Sequence, residues 1–266
     1  MSNELLVQTG KIARVTFNNP EKLNTFTVER LKEFNAILKE LEGSEKTKVI
    51  LIDAVGEKAF SAGLDTTMLT GGDASIKDAI VKEGSTLSES VFYLSKPVVC
   101  AITAPAVGWG CILSMLADFR FASPNVYFKL PELEIGIYPA TGALSLCMMH
   151  FGMSLGSEML FLGAKLGAER AASIGFVNGI APTGEEVAAM AKATAKQLSR
   201  LNQQVVMYSK TNARLLQGIE YGQALALEAR CFKEMMQDGK GKDWHAMYLE
   251  NLSRLRSEFG KWILPL

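Results

Sequence analysis

Several side chains on which common enzyme sites depend are scarce in this sequence. Histidine occurs only twice, at His150 and His245, and no HExxH motif is present. Two imidazoles are too few for a His-rich metal site, and a Ser/His/Asp triad would have only these two candidates for its base. We therefore expect neither a bound metal ion nor hydrolysis by a triad.

Cysteine is also scarce and does not occur in pairs. The four cysteines lack CxxC spacing and lie in apolar surroundings; they are Cys100, Cys111, Cys147 and Cys231. This pattern is typical of small buried side chains in a reducing compartment, rather than of disulfides or zinc ligands. Residues 1–11 resemble neither a secretory nor a transit peptide, and residues 264–266 are not a peroxisomal signal. We expect a cytoplasmic protein.

The chain has no excess of either charge, with 28 Lys and Arg against 28 Asp and Glu, so a nucleic-acid partner is not expected. Charge is also absent locally, because no Asp, Glu, Lys or Arg occurs from Pro97 to Ala117 or from Ile135 to Ser157. Both stretches are long enough to span a bilayer, but their Pro and Gly residues would leave backbone groups unpaired in lipid. We expect no membrane partner and interpret both stretches as buried, with irregular backbone lining a cavity.

Apolar spacing alternates between the period of strands and that of helices, which indicates an α/β fold. Strands are predicted at 5–7, 12–17, 49–55, 97–103, 119–122 and 126–129, with helices at 28–43, 76–94 and 110–117. Helices dominate the remainder, at 142–151, 154–162, 168–174, 185–201, 205–216, 220–237 and 243–259. The sequence therefore predicts an α/β part followed by a helical tail.

Two loops rich in small residues follow buried strands, at 60–65 (FSAGLD) and 105–110 (PAVGWG). Small residues let a ligand approach the backbone, and the unpaired N–H groups of a helix starting near Gly110 can donate to an anionic oxygen. Spacing alone leaves two interpretations open, ligand-binding loops or tight turns. The pattern is not a dinucleotide fingerprint, because Leu113 stands where a third glycine is required.

Two carboxylates, Glu132 and Glu134, lie at the leading edge of the second uncharged stretch. A carboxylate beside an apolar pocket is a candidate general base, because partial desolvation raises its proton affinity. The alternative for each is a solvated loop charge.

Five motifs together carry a family resemblance. They are Asn19-Pro20-Glu21-Lys22-Leu23-Asn24, FSAGLD at 60–65, KPVVCAI at 96–102, PAVGWGC at 105–111 and PELEIG at 131–136. In order and spacing they resemble the enoyl-CoA hydratase/isomerase (crotonase) superfamily over nearly the whole chain. The resemblance implies a spiral of ββα units over residues 1–200 and a C-terminal helical trimerisation region over residues 201–266. It also implies a homotrimer or dimer of trimers that acts on acyl-CoA thioesters in fatty acid metabolism such as β-oxidation, with no further cofactor.

The resemblance also assigns roles by motif position. Glu132 is the implied catalytic residue, and the backbone N–H groups of Leu64 and Trp109 are the implied oxyanion hole for the thioester oxygen. The implied substrate-binding residues are Lys22, Leu23, Ser61, Ala62, Gly63, Asp65, Gly108 and Ile112. Preorganised donors of this kind stabilise the enolate that forms when a proton is removed beside a thioester carbonyl.

The family's hydratases commonly use two glutamates, and this sequence has Ile112 where the first would stand. An aliphatic side chain cannot activate water. The resemblance therefore favours a Δ3,Δ2-enoyl-CoA isomerase of the mitochondrial type, which the segment 247–250 also resembles. Ala140 stands where dienoyl-CoA isomerases carry an additional Asp and a peroxisomal isomerase type carries its catalytic Glu, so the resemblance disfavours both branches.

Alternatives remain open at this point. One is hydration or thioester hydrolysis, with Glu134 or a water held otherwise in place of the missing carboxylate. Another is a non-catalytic acyl-CoA-binding trimer. RNA binding, known for a relative with a basic helix, is disfavoured because the predicted helix over 29–42 mixes both charges.

Three residue roles are also open. Trp109 stands where the family usually has Gly, so it is either strained by about 1–3 kcal/mol, if φ there is positive, or a wall of the acyl pocket. Asp65 either orders its loop or takes part in chemistry. Lys22 either approaches the CoA phosphates or is a solvated lysine.

Overall fold

The computed structural model describes residues 3–65, 67–70 and 74–237. The strands are β1 (Leu5–Gln8), β2 (Ile12–Phe17), β3 (Val49–Ala54), β4 (Val98–Ile102), β5 (Ala106–Val107), β6 (Phe119–Ala122), β7 (Tyr127–Lys129), β8 (Leu166–Gly167) and β9 (Gly179–Ile180). The helices are α1 (Val28–Gly43), α2 (Thr67–Thr70), α3 (Ala74–Tyr93), α4 (Trp109–Leu116), α5 (Ala143–Phe161), α6 (Ala168–Ser173), α7 (Gly184–Leu198) and α8 (Gln203–Gln237), with a 3-10 turn at Pro20–Lys22. The predicted α/β class is confirmed, and the predicted helix at 243–259 and the segment 247–250 lie outside the described residues.

The larger sheet has six strands in the order β1-β2-β3-β4-β6-β9. Strands β1 and β2 form an antiparallel hairpin, with Leu5 opposite Phe17, and the other neighbours are parallel. All five residues of β4 are buried. Continuous apolar strands of this kind are typical of a parallel sheet covered on both faces, which is why the sequence predicts them well.

A second, three-stranded sheet has the order β5-β7-β8. Strand β5 pairs in parallel with β7, so that Val107 lies opposite Lys129. The sequence analysis did not predict β5, β8 or β9, because strands of two residues carry no periodicity. This small sheet matters for function, since it places the loop after β5 beside the loop after β7.

The helices begin where capping residues allow. Thr27 accepts a hydrogen bond from the Arg30 amide at the start of α1, and Thr183 forms a capping box with Glu186 at the start of α7. The predicted break between the helices at 142–151 and 154–162 is confirmed, because the backbone of α5 leaves helical geometry at Gly152 (φ 66°, ψ −179°) and kinks there. The predicted break between 216 and 220 is wrong, since α8 is a single helix from Gln203 to Gln237.

The main core fills the space between the larger sheet and helices α1, α3, α4 and α5. An aromatic group lies at its centre, with ring centroids of neighbouring pairs 4.8–6.4 Å apart. Its members are Phe17, Phe26, Phe34, Phe60 and Trp109. A smaller core lies between α7 and the other face of the sheet. The stretch 97–117 is largely buried as predicted, whereas 135–157 is only partly so, since Ile135 and Met153 are exposed.

Helix α8 is held to the body by a partly buried ion cluster. Asp118 accepts hydrogen bonds from Lys210 at 2.6 Å and Arg214 at 3.2 Å, and also from the Val98 amide at 2.8 Å. The described helices include none with the length and apolarity needed to cross a membrane. The predicted division at residue 200 stays a prediction, although α8 begins three residues beyond it.

Candidate active site

The two small-residue loops meet backbone to backbone. The Val107 amide donates to the Ser61 carbonyl at 2.9 Å, and Ser61 and Ala106 form an isolated parallel bridge. Glycine is required at this contact. A Cβ on Gly63 would lie 2.9 Å from the Trp109 nitrogen, and a Cβ on Gly110 would lie 2.5 Å from the Ser61 carbonyl oxygen.

This contact brings two unused amide groups to one place. Within the described chain, neither the Leu64 nor the Trp109 N–H donates a hydrogen bond to another protein group. Trp109 is the first residue of α4, where a helical N–H has no partner four residues earlier. Both residues also line the same pocket, so the two unused amide groups belong to residues of one lining.

Trp109 is accommodated without the backbone strain that a positive φ would cause. Gly108, the N-cap of α4, takes the positive φ of 53°, and Trp109 is not among the described non-glycine residues with positive φ. The indole is only 1% exposed and packs on Phe26 at 4.8 Å between ring centroids. Its Nε1 is buried without a partner in the described chain. Of the two predicted alternatives, the pocket wall is therefore the one supported.

The pocket beside this contact is largely apolar. It is lined by Ala62, Leu64, Ile80, Val81, Gly108, Trp109, Ile112, Pro131, Glu132, Ile135, Ile137, Tyr138, Ala140 and Thr141. Glu132 is the one carboxylic acid in this lining. Ile112, where a second glutamate is common in the family's hydratases, is 2% exposed and presents only an aliphatic side chain.

Glu132 lies on the turn that follows β7. The Ile137 amide donates to the Glu132 carbonyl at 2.8 Å, and Gly136 closes the turn with a φ of 71°. A Cβ on Gly108 would lie 3.8 Å from Oε1 of Glu132, so the carboxyl group faces the backbone that precedes Trp109. Its Oε2 is buried and has no hydrogen-bond partner among the described residues.

This environment changes the acidity of Glu132. Burial raises the pKa of the carboxyl group to about 7, a backbone hydrogen bond lowers it in part, and the charge of Glu228 raises it further. A group with such a pKa is present in both protonation states near neutral pH. It can therefore both accept and return a proton.

Glu134 does not share this environment. Its carboxylate is 43% exposed and pairs with Lys129 at 2.7 Å. It also packs over Gly163, where a Cβ would overlap its side chain. Glu134 is therefore the solvated, paired charge of the two alternatives, and the structure does not bring it to the pocket.

The predicted substrate-binding residues differ in where the structure places them, since some order the loops, some line the pocket and some lie outside its lining. The Ser61 hydroxyl donates to the Asn24 carbonyl at 2.9 Å and accepts from the Gly63 amide at 3.1 Å. Asp65 accepts from the Thr67 amide and hydroxyl, which lowers the pKa of Asp65 and supports its loop-ordering role. Of the eight predicted binding residues, Ala62, Gly108 and Ile112 line the pocket.

Lys22 and Leu23 are exposed and outside the pocket lining. Leu23 nevertheless touches the site's framework, because its carbonyl accepts from the Ala62 amide at 2.9 Å. The prediction that these two residues contact substrate stays a prediction.

Some pocket residues were missed by the sequence analysis. Ile80 and Val81 come from α3, which carried no signal beyond helical periodicity. Thr141 has a positive φ of 58° and lies on the second uncharged stretch. Glu228, from the helical tail, reaches the start of α5 directly behind this wall. Nothing in the local sequence around Glu228 distinguishes it from a solvated helix residue.

Comparison with known proteins agrees with this architecture. The family model described as "Enoyl-CoA hydratase/isomerase" matches residues 8–256. A solved enoyl-CoA hydratase/isomerase from Mycobacterium paratuberculosis superimposes with a TM-score of 0.83 at 26% identity, covering 89% of this chain and 94% of that one. A further enoyl-CoA hydratase/isomerase, from Xanthobacter autotrophicus, has the same fold over the full length of both chains, with a TM-score of 0.81 at 23% identity.

Curated relatives are named for hydration or dehydration. The short-chain-enoyl-CoA hydratase of Clostridium acetobutylicum is 29% identical over 257 residues, 94% of this chain and 95% of that protein. The carnitinyl-CoA dehydratase of Escherichia coli K12 is 32% identical over 186 residues, 70% of each. These names do not confirm the predicted isomerase and favour the hydratase alternative. With the family match over most of its length and the crotonase-type fold, the chain belongs to the enoyl-CoA hydratase/isomerase family.

Proposed function

We propose that this protein is an enzyme that transfers a proton beside the thioester carbonyl of an enoyl-CoA, with Glu132 as the acid and base. One observation carries the proposal: the single carboxyl group of the pocket lies against the backbone that presents the Leu64 and Trp109 amides. Enolate chemistry requires a carboxylate beside two free N–H donors. The carboxylate removes the proton, and the N–H groups stabilise the oxyanion that forms.

The reaction that this geometry favours is isomerisation of a 3-enoyl-CoA to a 2-enoyl-CoA. Glu132 takes a proton from C2, and the electrons of the broken C–H bond delocalise into a dienolate whose oxygen accepts from Leu64 and Trp109. The protonated Glu132 then donates this proton to C4, and the double bond comes to lie between C2 and C3. The substrate is neither oxidised nor reduced overall, so no redox cofactor is needed.

The walls of the pocket support this choice. Isomerisation needs one group that carries the same proton from C2 to C4, and Glu132 has a pKa of about 7, suited to both steps. Ile112 and the other apolar lining residues offer no group that would orient a water molecule for addition. Water exclusion also protects the dienolate from protonation by solvent.

Hydration of a 2-enoyl-CoA is the second candidate, and the names of the relatives favour it. In that reaction Glu132 alone would have to activate the water that adds to C3 and supply the proton to C2. The absence of a second carboxylate at position 112 is the physical argument against it.

The two candidates are separated by mutation. In wild type, we expect 3-enoyl-CoA substrates to be isomerised, with the proton taken from C2 recovered at C4 and little deuterium entering from D₂O. Glu132→Gln should lower that rate by roughly 10²–10⁴-fold, the usual contribution of a general base. Glu134→Gln is the matched control, because this glutamate is two residues away but outside the pocket, and it should leave the rate unchanged.

Other outcomes would contradict the proposal. Hydration of 2-enoyl-CoA with no isomerisation of 3-enoyl-CoA would establish the second candidate. CoA binding without turnover of either 3-enoyl-CoA or 2-enoyl-CoA would indicate a non-catalytic acyl-CoA-binding protein. An Ile112→Glu variant supplies the carboxylate that the pocket lacks, and we expect it to increase hydration relative to isomerisation.

We also propose a homotrimer or a dimer of trimers. Large apolar side chains on and just after the second half of α5 are exposed in the single chain, with Met153 71%, Phe161 59% and Leu162 73% exposed. Exposed apolar groups of this size are typical of subunit contacts. Light scattering should give three or six times the chain mass, and a monomeric mass would contradict the assembly. A cytoplasmic location stays a prediction.

A further inference from the structure

We propose that Glu228 of α8 is a positioning residue of the active site, which holds the Thr141–Gly142 wall of the pocket in place for Glu132. The inference rests on the proposed function of Glu132 and extends it to a residue outside the five sequence motifs. It assigns the helical tail a part in the reaction, in addition to any part in assembly.

The contacts of Glu228 are specific. Its Oε2 accepts from the Gly142 amide at 2.6 Å and its Oε1 accepts from the Ser145 amide at 2.8 Å. These amides belong to the start of α5, where helical N–H groups lack partners and the helix dipole favours a negative charge. The residue is 1% exposed, so its carboxyl group is placed behind the pocket rather than in solvent.

The wall that Glu228 supports contains a strained backbone conformation at Thr141. Thr141 lines the pocket with a φ of 58°, a conformation that costs a residue with a β-branched side chain about 1–3 kcal/mol. Such a conformation persists only when its surroundings fix it. Glu228 fixes it from α8, and α3 fixes it from the other side, where the Ser88 hydroxyl donates to the Thr141 carbonyl at 2.6 Å.

Helix α3 also constrains Thr141 sterically, in addition to the clamp formed by Glu228 and Ser88. Gly84 lies so close to Thr141 that a Cβ there would be 2.8 Å from the Thr141 methyl carbon. The Thr141 turn is therefore enclosed by Ser88 and Gly84 of α3 and by Glu228 of α8. Because α3 also supplies Ile80 and Val81 to the pocket, a displaced turn would change the space that faces Glu132.

Charge provides a second link between the two glutamates. The negative charge of Glu228 raises the pKa of Glu132. Among the described residues, the other titratable groups that interact with Glu132 are the buried thiols Cys111 and Cys147, whose raised pKa values keep them neutral at ordinary pH. On the helices packed around Glu228, Lys233 of α8 and Asp78 of α3 pair with each other at the surface.

Burial raises the pKa of Glu228 itself to about 7, while hydrogen bonds from Ser145 and Gly142 lower it in part. Two backbone donors on its two oxygens favour the carboxylate over the acid. Loss of this charge should therefore let Glu132 ionise at lower pH, and loss of the hydrogen bonds should loosen the wall.

The test uses the full-length protein with Glu228→Gln and, as matched control, Glu89→Gln, an exposed glutamate on α3. Glutamine keeps the size of the side chain but removes the charge and replaces one acceptor by a donor. We expect kcat/KM to fall by roughly tenfold or more, as misplacement of a catalytic group does. We also expect the pH profile of kcat/KM to move to lower pH in this variant alone.

Two further variants separate geometry from charge. Ser88→Ala removes the α3 side of the clamp without changing charge, so it should lower kcat and leave the pH profile in place. Glu228→Asp keeps the charge but withdraws it from the α5 amides. It should shift the profile less than Glu228→Gln does, and it serves if the glutamine variant does not fold.

A measurement without turnover separates failure of this inference from failure of the proposed function. The Glu132 carboxyl group is titrated by ¹³C NMR in the free protein, assigned with Glu132→Gln, and amide exchange is followed at Gly142 and Ser145. We expect Glu228→Gln to lower the Glu132 midpoint and to accelerate exchange at both amides. An unchanged midpoint with unchanged exchange would overturn the inference, whatever substrate the enzyme uses.

Discussion

The backbone of Gly63 lies against the amide nitrogen of Trp109, so closely that a Cβ on Gly63 would be 2.9 Å from that nitrogen. Gly63 also has a φ of 89°, a conformation that L side chains rarely adopt. The position of both proposed oxyanion donors, Leu64 and Trp109, therefore depends on the absence of a Cβ at Gly63.

The first prediction follows from this contact. Gly63→Ala should separate the two loops and lower kcat by roughly 10²-fold, as loss of one oxyanion donor does in other enzymes. Gly175→Ala is the control, because its φ of 78° imposes similar strain where a Cβ meets nothing within 4 Å. Steady-state kinetics should show lost activity for Gly63→Ala alone, and thermal unfolding compares the stability of the two variants. Equal activity in the two variants would contradict the proposed donor geometry.

The second prediction concerns the pH dependence of the rate. Burial raises the pKa of Glu132 to about 7, and the base must be ionised to take a proton. We therefore expect kcat/KM for isomerisation to rise as pH increases through about 7 and then to level off. A rise centred near 4.5, the ordinary value for a glutamate, would show that the carboxyl group is solvated.

The third prediction concerns stability. A folded-state pKa raised above the unfolded value means that the native state binds the proton more tightly. The contribution of Glu132 is therefore fully present below about pH 4.5 and is lost as pH rises through about 7. Relative to wild type, Glu132→Gln should gain on the order of 1–3 kcal/mol of unfolding free energy between acidic and mildly alkaline pH. Urea unfolding at a series of pH values measures this, and a constant difference would argue against a buried carboxyl group.

The fourth prediction tests how the helical tail is docked. Asp118→Ala would leave Lys210 and Arg214 with uncompensated charges, and Lys210 is only 9% exposed in its side chain. Removing one partner of a fully buried ion pair costs about 3–5 kcal/mol, and we expect roughly half of that for this partly buried cluster. Glu158→Ala, which breaks an exposed pair with Arg170, is the control and should have little effect on the urea midpoint. A similarly small effect of Asp118→Ala would contradict the docking role.

Much of the fold was predictable because its main elements have a strong local pattern. Strand β4 is a continuous apolar run and α1 has both periodicity and the Thr27 cap, and both occur where predicted. The wrong helix break, between residues 216 and 220, contains Gly218. A single glycine costs a helix only about 1 kcal/mol, which packing offsets, as the contact of α8 with α3 does here.

The candidate site was likewise predictable only in part. Its loops and Glu132 lie in contiguous motifs, so their identity and order could be predicted from the sequence. Ile80, Val81 and Glu228 reach the site only through the packing of α3 and α8. No local pattern encodes such an approach, because periodicity reports which face of a helix is buried but not what that face meets.

The difference between Ile112 and a glutamate is the central point of the account, because it separates moving a double bond from adding water. The most direct measurement is the product composition when purified wild type acts on 3-enoyl-CoA and, separately, on 2-enoyl-CoA, followed by NMR in D₂O. We predict conversion of 3-enoyl-CoA to 2-enoyl-CoA with the C2 proton largely retained at C4, and little 3-hydroxyacyl-CoA from either substrate. Rapid formation of 3-hydroxyacyl-CoA from 2-enoyl-CoA, with 3-enoyl-CoA left unchanged, would contradict it.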